Sequence, residues 1–437
     1  MSQPTSVPAS LPEPVGAPYF HYEHGELHAE GVPVGDLARQ HGSPLYVYSR
    51  AALRAAWQRF EDAIDGRNAL VCYGMKANSN LAVLREFARL GAGFDIVSGG
   101  ELARVQAAGG DPGKVVFSGV GKQTWEIEAA LRAGVRSFNV ESVAELRHLS
   151  ATATRLGLTA PVSLRVNPDV DAHTHPYIST GLKENKFGIA IEEAEEAYRL
   201  AAALPGLEIV GVDCHIGSQL TEISPYLDAL DKLINLIDAL AANGIRLHHL
   251  DIGGGVGIRY RDEQPLSLRD LLDEVFLRLA ARGHGGLQLV MEPGRSLVGN
   301  AGILVTEVLY LKHAEAKNFA IVDAAMTDLI RPTLYDAWHG VLPVRTPSAG
   351  CSAKLYDIVG PVCESGDWLA RDRELALRQG DLLAVESAGA YAFVMSSQYN
   401  TRPRAAEVLV DGAQAYLIRE REQVPQLFAG EILPPDA

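Results

Sequence analysis

From about Leu70 to Val298 the chain alternates between two textures. Short apolar, β-branched runs end in clusters of Gly, Ser, Asn or Asp, and a stretch rich in Ala, Leu, Glu and Arg follows each one. Apolar runs of that length, bounded by turn-formers, predict strands; the longer stretches between them predict helices. The strand candidates are 70–78, 93–98, 114–119, 137–142, 161–168, 209–218, 247–255 and 287–295. The clearest helical stretch is 226–241, where Leu227, Leu230, Ile234, Ile237 and Leu240 recur at steps of three and four and so share one face. Eight successive β–α repeats match the count of a (β/α)8 barrel; the alternative, an open doubly wound sheet, usually has fewer strands.

After about Gly302 the texture changes. GILVTEVLYLKH, NFAIVDAA, KLYDIVGPVCES, DLLAVESAGAYAF and AAEVLVDGAQAYLIRERE read as strands separated by turn-formers, with little helix between them. That predicts an antiparallel β-sandwich or β-barrel domain. The early segments FHYEHGELHAEG and PLYVYSR also read as strands and are expected to join it, because termini often lie close together. The expected division is a loose arm over 1–18, N-terminal strands of the β domain over 19–45, the barrel over 46–301 and the β domain over 302–437.

Composition narrows the function classes. The chain has 437 residues, 47% of them hydrophobic and 21% charged, which excludes a largely disordered chain. A net charge of −15 argues against a general nucleic-acid or anionic-membrane binder. Cys72, Cys214, Cys351 and Cys363 are dispersed with no CxxC pair, so a disulfide scaffold is not expected and a reducing cytoplasm fits best. The first residues carry no basic stretch followed by an apolar core, and no apolar run approaches the ~18 residues of a membrane span.

In barrels of this kind, reactive groups sit at the C-terminal ends of the strands. Lys76, Asp95, Ser98, Glu141, Arg165, Asn167, His215, Gly253–Gly255 and Glu292 all fall there. A lysine at a barrel mouth is partly desolvated, which frees its amine for Schiff-base chemistry, although a strand-end lysine also snorkels to water. Gly253-Gly254-Gly255 follows the seventh strand, where barrels often hold a phosphate, and Ser218 in HIGSQ offers a hydroxyl to the same anion. A GGG turn can equally be a tight connection. In EPGR, Glu292 can keep a ring nitrogen protonated and Arg295 can fork onto an anion, or the two can pair with each other. His215 can stack on a flat cofactor or be an ordinary hydrogen-bonded core residue. Together these groups describe the needs of pyridoxal phosphate. No HExxH and no zinc-type Cys/His spacing competes, so no metal is expected.

YGMKAN, FDIVSGGEL, ENKFGI, HIGSQ, DIGGGVG, EPGRS, RPTLYDAWH, CESGD and GAYAFVMSSQYN resemble, in that order, the motifs of the diaminopimelate decarboxylases. These belong to the alanine-racemase-like (fold type III) pyridoxal-phosphate decarboxylases. The resemblance spans about Tyr46 to Arg404. It implies decarboxylation of meso-2,6-diaminopimelate to L-lysine and CO2, the last step of lysine biosynthesis. It implies that Lys76 is the lysine that captures the coenzyme's aldehyde, Glu292 the partner of the pyridine nitrogen and His215 the stacked ring. Ser218, Gly253, Gly254, Gly255, Pro293, Gly294, Arg295 and Tyr391 fall in cofactor-holding segments. Arg295, Arg331, Tyr335, Glu364 and Tyr391 match substrate-binding positions, and Cys363 the proton donor. The family's Cys-Glu segment reaches the site from a second subunit, which implies a homodimer with shared sites. Two stretches, the N-terminal arm and VLPVRTPSAGCSAK, match nothing functional.

Ornithine, arginine and carboxynorspermidine decarboxylases on the same scaffold are the nearest alternatives. A substrate ending in a bare amine has no use for Arg331, and the ornithine enzymes carry Asp where Glu364 follows the cysteine. Alanine racemase needs a tyrosine base for which no motif is found. A non-catalytic pyridoxal-phosphate carrier would lack the β domain, and inhibitor-like relatives lose cofactor residues.

Overall fold

The computed structural model describes residues 12–171, 185–347 and 350–435. Residues 1–11 of the expected arm and Glu184 of ENKFGI lie outside these. Contacts divide the chain into two compact units. One comprises 56–258 and 263–297, the other 1–55, 259–262 and 298–437.

All eight strand candidates of the first unit are strands: β1 (Ala69–Gly74), β2 (Gly93–Ile96), β3 (Val115–Phe117), β4 (Ser137–Val140), β5 (Ala160–Asn167), β6 (Leu207–Asp213), β7 (His249–Asp251) and β8 (Gln288–Met291). Every neighbouring pair is parallel. β8 pairs with β1 and β4 with β5, so the sheet closes on itself. This is the (β/α)8 barrel rather than the open sheet. Strands end where the turn-formers begin, so the functional motifs lie just beyond them, in the loops. The expected helix 226–241 is Ser224–Ala242, with Leu230, Leu233, Ile234, Ile237 and Leu240 buried.

Helix starts are written locally. Ser98 and Ser142, each following a strand, accept the backbone N–H of Glu101 and Glu145 (both 3.2 Å). Glu101 and Glu145 reach back to the N–H groups of Val97 (2.6 Å) and Glu141 (3.0 Å). Each serine is a side-chain N-cap, and the glutamate pairs the N–H of the residue just before that serine, so donors left over at the helix start find partners.

The second unit is β-rich. Its main sheet runs in the order Trp368–Leu375, Lys354–Val359, Asn318–Val322, Gly302–His313, Leu45–Ser49, Ala406–Asp411, Gln414–Arg419. The sheet is mixed, where a purely antiparallel one was expected. Asn318–Val322 runs parallel to Lys354–Val359, and Leu45–Ser49 parallel to Ala406–Asp411. Both exceptions have a chain-path cause. A parallel pair needs a long crossover, which residues 323–353 supply in one case and the whole barrel in the other. The segment PLYVYSR thus joins the sheet as an interior strand. FHYEHGELHAEG instead forms its own small sheet of Phe20–Glu23, Glu26–Ala29 and Val32–Pro33. Its apolar side, Phe20, Leu27 and Ala29, packs into one core with Val47, Ile303, Val305, Val408 and Val410. Its edge also meets the chain at 344–346, where Leu27 N–H donates to Val344 O (2.7 Å) and Glu26 forms a β-bridge with Arg345. No helix among the described residues is long and apolar enough to cross a membrane.

Candidate active site

The chain ends of β8 and β1 are tied together first. Gly74 N–H donates to Pro293 O (3.0 Å), and Gly294 lies so close that a Cβ there would meet Gly74 O at 2.8 Å. This seam places Lys76, two residues beyond β1, beside the loop that begins with Glu292. Lys76 is half-buried, and its Nζ donates to Asp95 Oδ2 at 2.9 Å. The Asp95 side chain is fully buried at the end of β2.

Glu292 reaches across the barrel from β8. Its Oε1 accepts from Asn139 Nδ2 (3.2 Å), at the end of β4, and from Ser118 Oγ (3.4 Å), just after β3. Asn139 also donates to Ser118 Oγ at 3.2 Å. Asp213, Asp251 and Glu292 bring oxygens to within 4.8 Å of one another, all buried. Burial pushes all three carboxyls up; repulsion by neighbouring carboxylates adds to the rise of Asp213 and Glu292, and the Asp95 charge to that of Asp251, which rises to about 7. Three buried carboxyls this close, each raised, favour keeping a proton among them. Arg165 supplies the nearby positive charge. It bonds Glu141 (3.0 Å) and approaches Asp213 at 4.0 Å.

His215 follows β6. Its Nδ1 accepts the N–H of Gly254 at 3.1 Å. Burial, together with the Lys76 and Arg165 charges, holds its pKa well below the usual histidine range. The ring is therefore a neutral imidazole with its proton on Nε2. The glycine turn packs against its surroundings at backbone distance. A Cβ on Gly253 would meet Cys214 O at 2.4 Å, on Gly254 it would meet Glu292 O at 2.2 Å, and on Gly255 it would meet Gly217 O at 2.4 Å. Gly253 and Gly255 also need positive φ, +70° and +97°. Below the turn, Gly253 N–H donates to Asp251 Oδ1 (2.8 Å) and Tyr226 Oη–H to Gly254 O (2.8 Å). Arg295 bonds Ser218 Oγ at 3.0 Å rather than pairing with Glu292.

Lys76, His215, Ser218, Gly253–Gly255, Glu292, Pro293, Gly294 and Arg295 are thus assembled at one end of one barrel. The remaining candidates belong to the β-rich unit. Arg331 opens a short helix, Arg331–Tyr335, and is buried; Tyr335 at its end is half-exposed. Cys363 and Glu364 sit on an exposed turn, where Glu364 Oε1 accepts from Tyr399 Oη (3.0 Å). Tyr391 lies in the turn after the strand Leu382–Val385 and has φ of +54°, a conformation uncommon for a non-glycine residue.

Residues 50–299 match the model of the pyridoxal-dependent decarboxylase, pyridoxal binding domain. The chain is 62% identical over 416 residues to the diaminopimelate decarboxylase of Pseudomonas aeruginosa, covering 95% of this chain and 99% of that one. It is 57% identical to that of Vibrio cholerae, over 96% and 100% of the two chains. Among solved structures, the diaminopimelate decarboxylase from m. jannaschi superposes with a TM-score of 0.91 at 38% identity, over 96% and 99% of the chains. The Helicobacter pylori enzyme, complexed with L-lysine, gives 0.86 at 43% identity over 90% and 98%.

The chain belongs to the diaminopimelate decarboxylase family.

The cofactor of this family is pyridoxal phosphate, and the barrel mouth fits it on its own chemistry. The glycine turn admits no side chain, and its last member, Gly255, is partly exposed, where an anion would approach. The neutral imidazole offers a flat apolar face. Burial and the neighbouring carboxylates push the Glu292 carboxyl up, which favours its keeping a proton. Sequence reasoning on the diaminopimelate decarboxylase motifs did not single out Asp213, Asp251, Asn139, Ser118 or Tyr226. A signal was available for the two aspartates: each is a charge at the end of an otherwise apolar strand, where an unpaired carboxylate is rarely buried.

Proposed function

We propose the following residue roles for the decarboxylation of meso-2,6-diaminopimelate to L-lysine and CO2. The chain is a carboxy-lyase that depends on pyridoxal 5′-phosphate. Bound pyridoxal phosphate supplies a carbonyl that captures an amine and an aromatic ring that withdraws the electron pair left by departing CO2.

Lys76 provides the resident amine, and Asp95 orients it through the 2.9 Å bond. Glu292, steadied by Asn139 and Ser118, holds a proton at the pyridine nitrogen. His215 covers one ring face as a neutral imidazole. Ser218, Gly253, Gly254, Gly255, Pro293, Gly294, Arg295 and Tyr391 hold the phosphate end. The substrate is an α-amino acid at both ends, so its distal end must be recognised as one. Arg331 receives the distal carboxylate, with Tyr335, Arg295 and Tyr391 beside it in role, and Glu364 receives the distal ammonium. A guanidinium and a carboxylate that lose a charged group of the substrate would penalise one lacking either end. Cys363 returns a proton to the α-carbon.

The observation that carries the reading is the assembly of Lys76, His215 and Glu292 at the C-terminal ends of β1, β6 and β8. The test is production of CO2 and L-lysine from meso-diaminopimelate, set against ornithine and arginine. Comparable rates on ornithine would remove the case for Arg331 and Glu364 as readers of the distal end.

The proposal extends to a homodimer whose Cys363-Glu364 segment serves the partner's site. It is supported by the exposed Cys363, and by Val97, Val120, Val143 and Trp125, apolar side chains left exposed beyond β2, β3 and β4. Val120 and Trp125 also line an open cavity of about 790 Å³ that shares no residue with the site above. A cytoplasmic location is part of the same proposal. It fits the four cysteines, all of them free.

A further inference from the structure

Arg331 and His339 stand at the two ends of RPTLYDAWH, and the fold brings them back together. His339 Nδ1 lies 2.7 Å from Glu386 O. A carbonyl oxygen only accepts, so Nδ1 carries the proton. On the other side, Nε2 lies 2.8 Å from Arg331 Nη1. A guanidinium only donates, so Nε2 is the acceptor and carries none. The two partners together dictate one neutral tautomer of a fully buried ring.

The remaining surroundings hold this pair in place. The Arg331 guanidinium lies over the Tyr260 ring, 4.7 Å from its centroid, and Tyr260 meets the His339 ring edge to face at 5.4 Å. His339 O accepts from Arg373 Nη2 at 3.1 Å. The guanidinium groups of Arg373 and Arg261 both lie over the neighbouring Trp338, 3.3 and 4.2 Å from a ring centroid. Among the described residues, Arg331, Arg373, Tyr260 and the Glu386 backbone face His339, and bonds at both ring nitrogens hold the imidazole in one orientation.

We propose that His339 is a positioning residue for substrate specificity: it aims the Arg331 guanidinium at the distal carboxylate. This rests on the reading of Arg331 as the reader of that carboxylate. One N–H of the planar fork is committed to His339 and one face to Tyr260. Those two constraints fix the plane of the guanidinium, and with it the direction of the remaining donors. A bidentate bond to a carboxylate requires that plane to be set beforehand.

The test measures binding of L-lysine and of 1,5-diaminopentane to the coenzyme-loaded protein by calorimetry. The first ligand carries a carboxylate and the second does not. H339N keeps a donor for Glu386 O and removes the Nε2 acceptor; H339Q restores an acceptor at the reach of Nε2. H339N is expected to weaken L-lysine about tenfold, the loss of one hydrogen bond to a charged group, and to leave the diamine unchanged. H339Q is expected to recover most of the loss. In turnover, KM for meso-diaminopimelate rises more than kcat falls. Where H339N does not fold, H339F carries the same comparison, since it keeps the ring against Tyr260 and offers no nitrogen. R331M separates the two readings. If R331M weakens L-lysine and the His339 variants do not, the positioning role is wrong. If they weaken both ligands equally, His339 is merely structural and the proposal is overturned. If R331M leaves L-lysine unaffected, the reading of Arg331 itself has failed.

Discussion

Asp251 is the residue whose proton is most open to measurement. Its carboxyl is pushed up to about 7 by burial, against the bond from Gly253 N–H and with the Asp95 charge adding to the rise. In the unfolded chain an aspartate loses its proton near pH ~4. Between about pH 4 and about pH 7 the folded protein therefore keeps a proton that the unfolded chain has released. The folded state binds more protons, so stability falls as pH rises through that window. Urea midpoints of D251N, measured from pH 4 to 8, are expected to show a shallower fall than the parent. An unchanged slope would place the shared proton elsewhere in the cluster. At Lys76 the expectation is simpler. K76A should lose the absorbance of covalently held coenzyme, and activity should fall more than about 10³-fold. A variant that kept that band would contradict the assigned role. Both residues lie in motifs visible in the sequence, YGMKAN and DIGGGVG, yet only Lys76 announced itself. An amine at a strand end advertises chemistry. A buried aspartate gains meaning only from what surrounds it.

At the scale of elements, the loop after β7 shows why three glycines stand in a row. Gly254 needs no positive φ; it needs the absence of a side chain, because the Glu292 carbonyl of β8 occupies that space. G254A must push the β7 and β8 loops apart. A loss of about 1–3 kcal/mol in unfolding free energy is expected, with weaker coenzyme binding measured by dialysis. S142A removes the N-cap that starts Val143–Leu156 and should cost about 1 kcal/mol, with coenzyme binding intact. The contrast between the two variants separates a glycine that shapes the mouth from a serine that only starts a helix. Element positions were the most legible level. All eight barrel strands and the long helix after β6 were read within a few residues, because period and punctuation are local properties. The small N-terminal sheet was not, since two strands joined by a tight turn read alike whether they extend another sheet or form one of their own.

For the whole molecule, the central question is the number of chains per site. Sedimentation should report a dimer. Mixing K76A and C363A subunits, each inactive, should restore activity: if sites are shared, one site in each mixed dimer has both groups, or about a quarter of all sites after random exchange. No recovery after verified exchange would place Cys363 and Lys76 of one chain in one site. The acidic net charge of −15 bears on neither outcome. It keeps the molecule away from polyanions, whereas its substrate responds to a handful of cations and carboxylates in one place.

Taken by itself, the order of apolar runs and turn-formers determined the barrel, the second β-rich unit and the placing of Lys76, His215 and Glu292 at strand ends. Each of these follows from interactions between near neighbours in the chain. Tertiary structure alone decided three other matters. The strand Leu45–Ser49 takes an interior place in a sheet made otherwise from the distant C-terminal part. Arg295 bonds Ser218 and not Glu292, while Glu292 crosses the barrel to Asn139. His339 is held as one neutral tautomer by Arg331 and Glu386. In each case the deciding partner lies on another element, and charge state, tautomer and hydrogen-bond choice depend on distances that no pattern along the chain encodes.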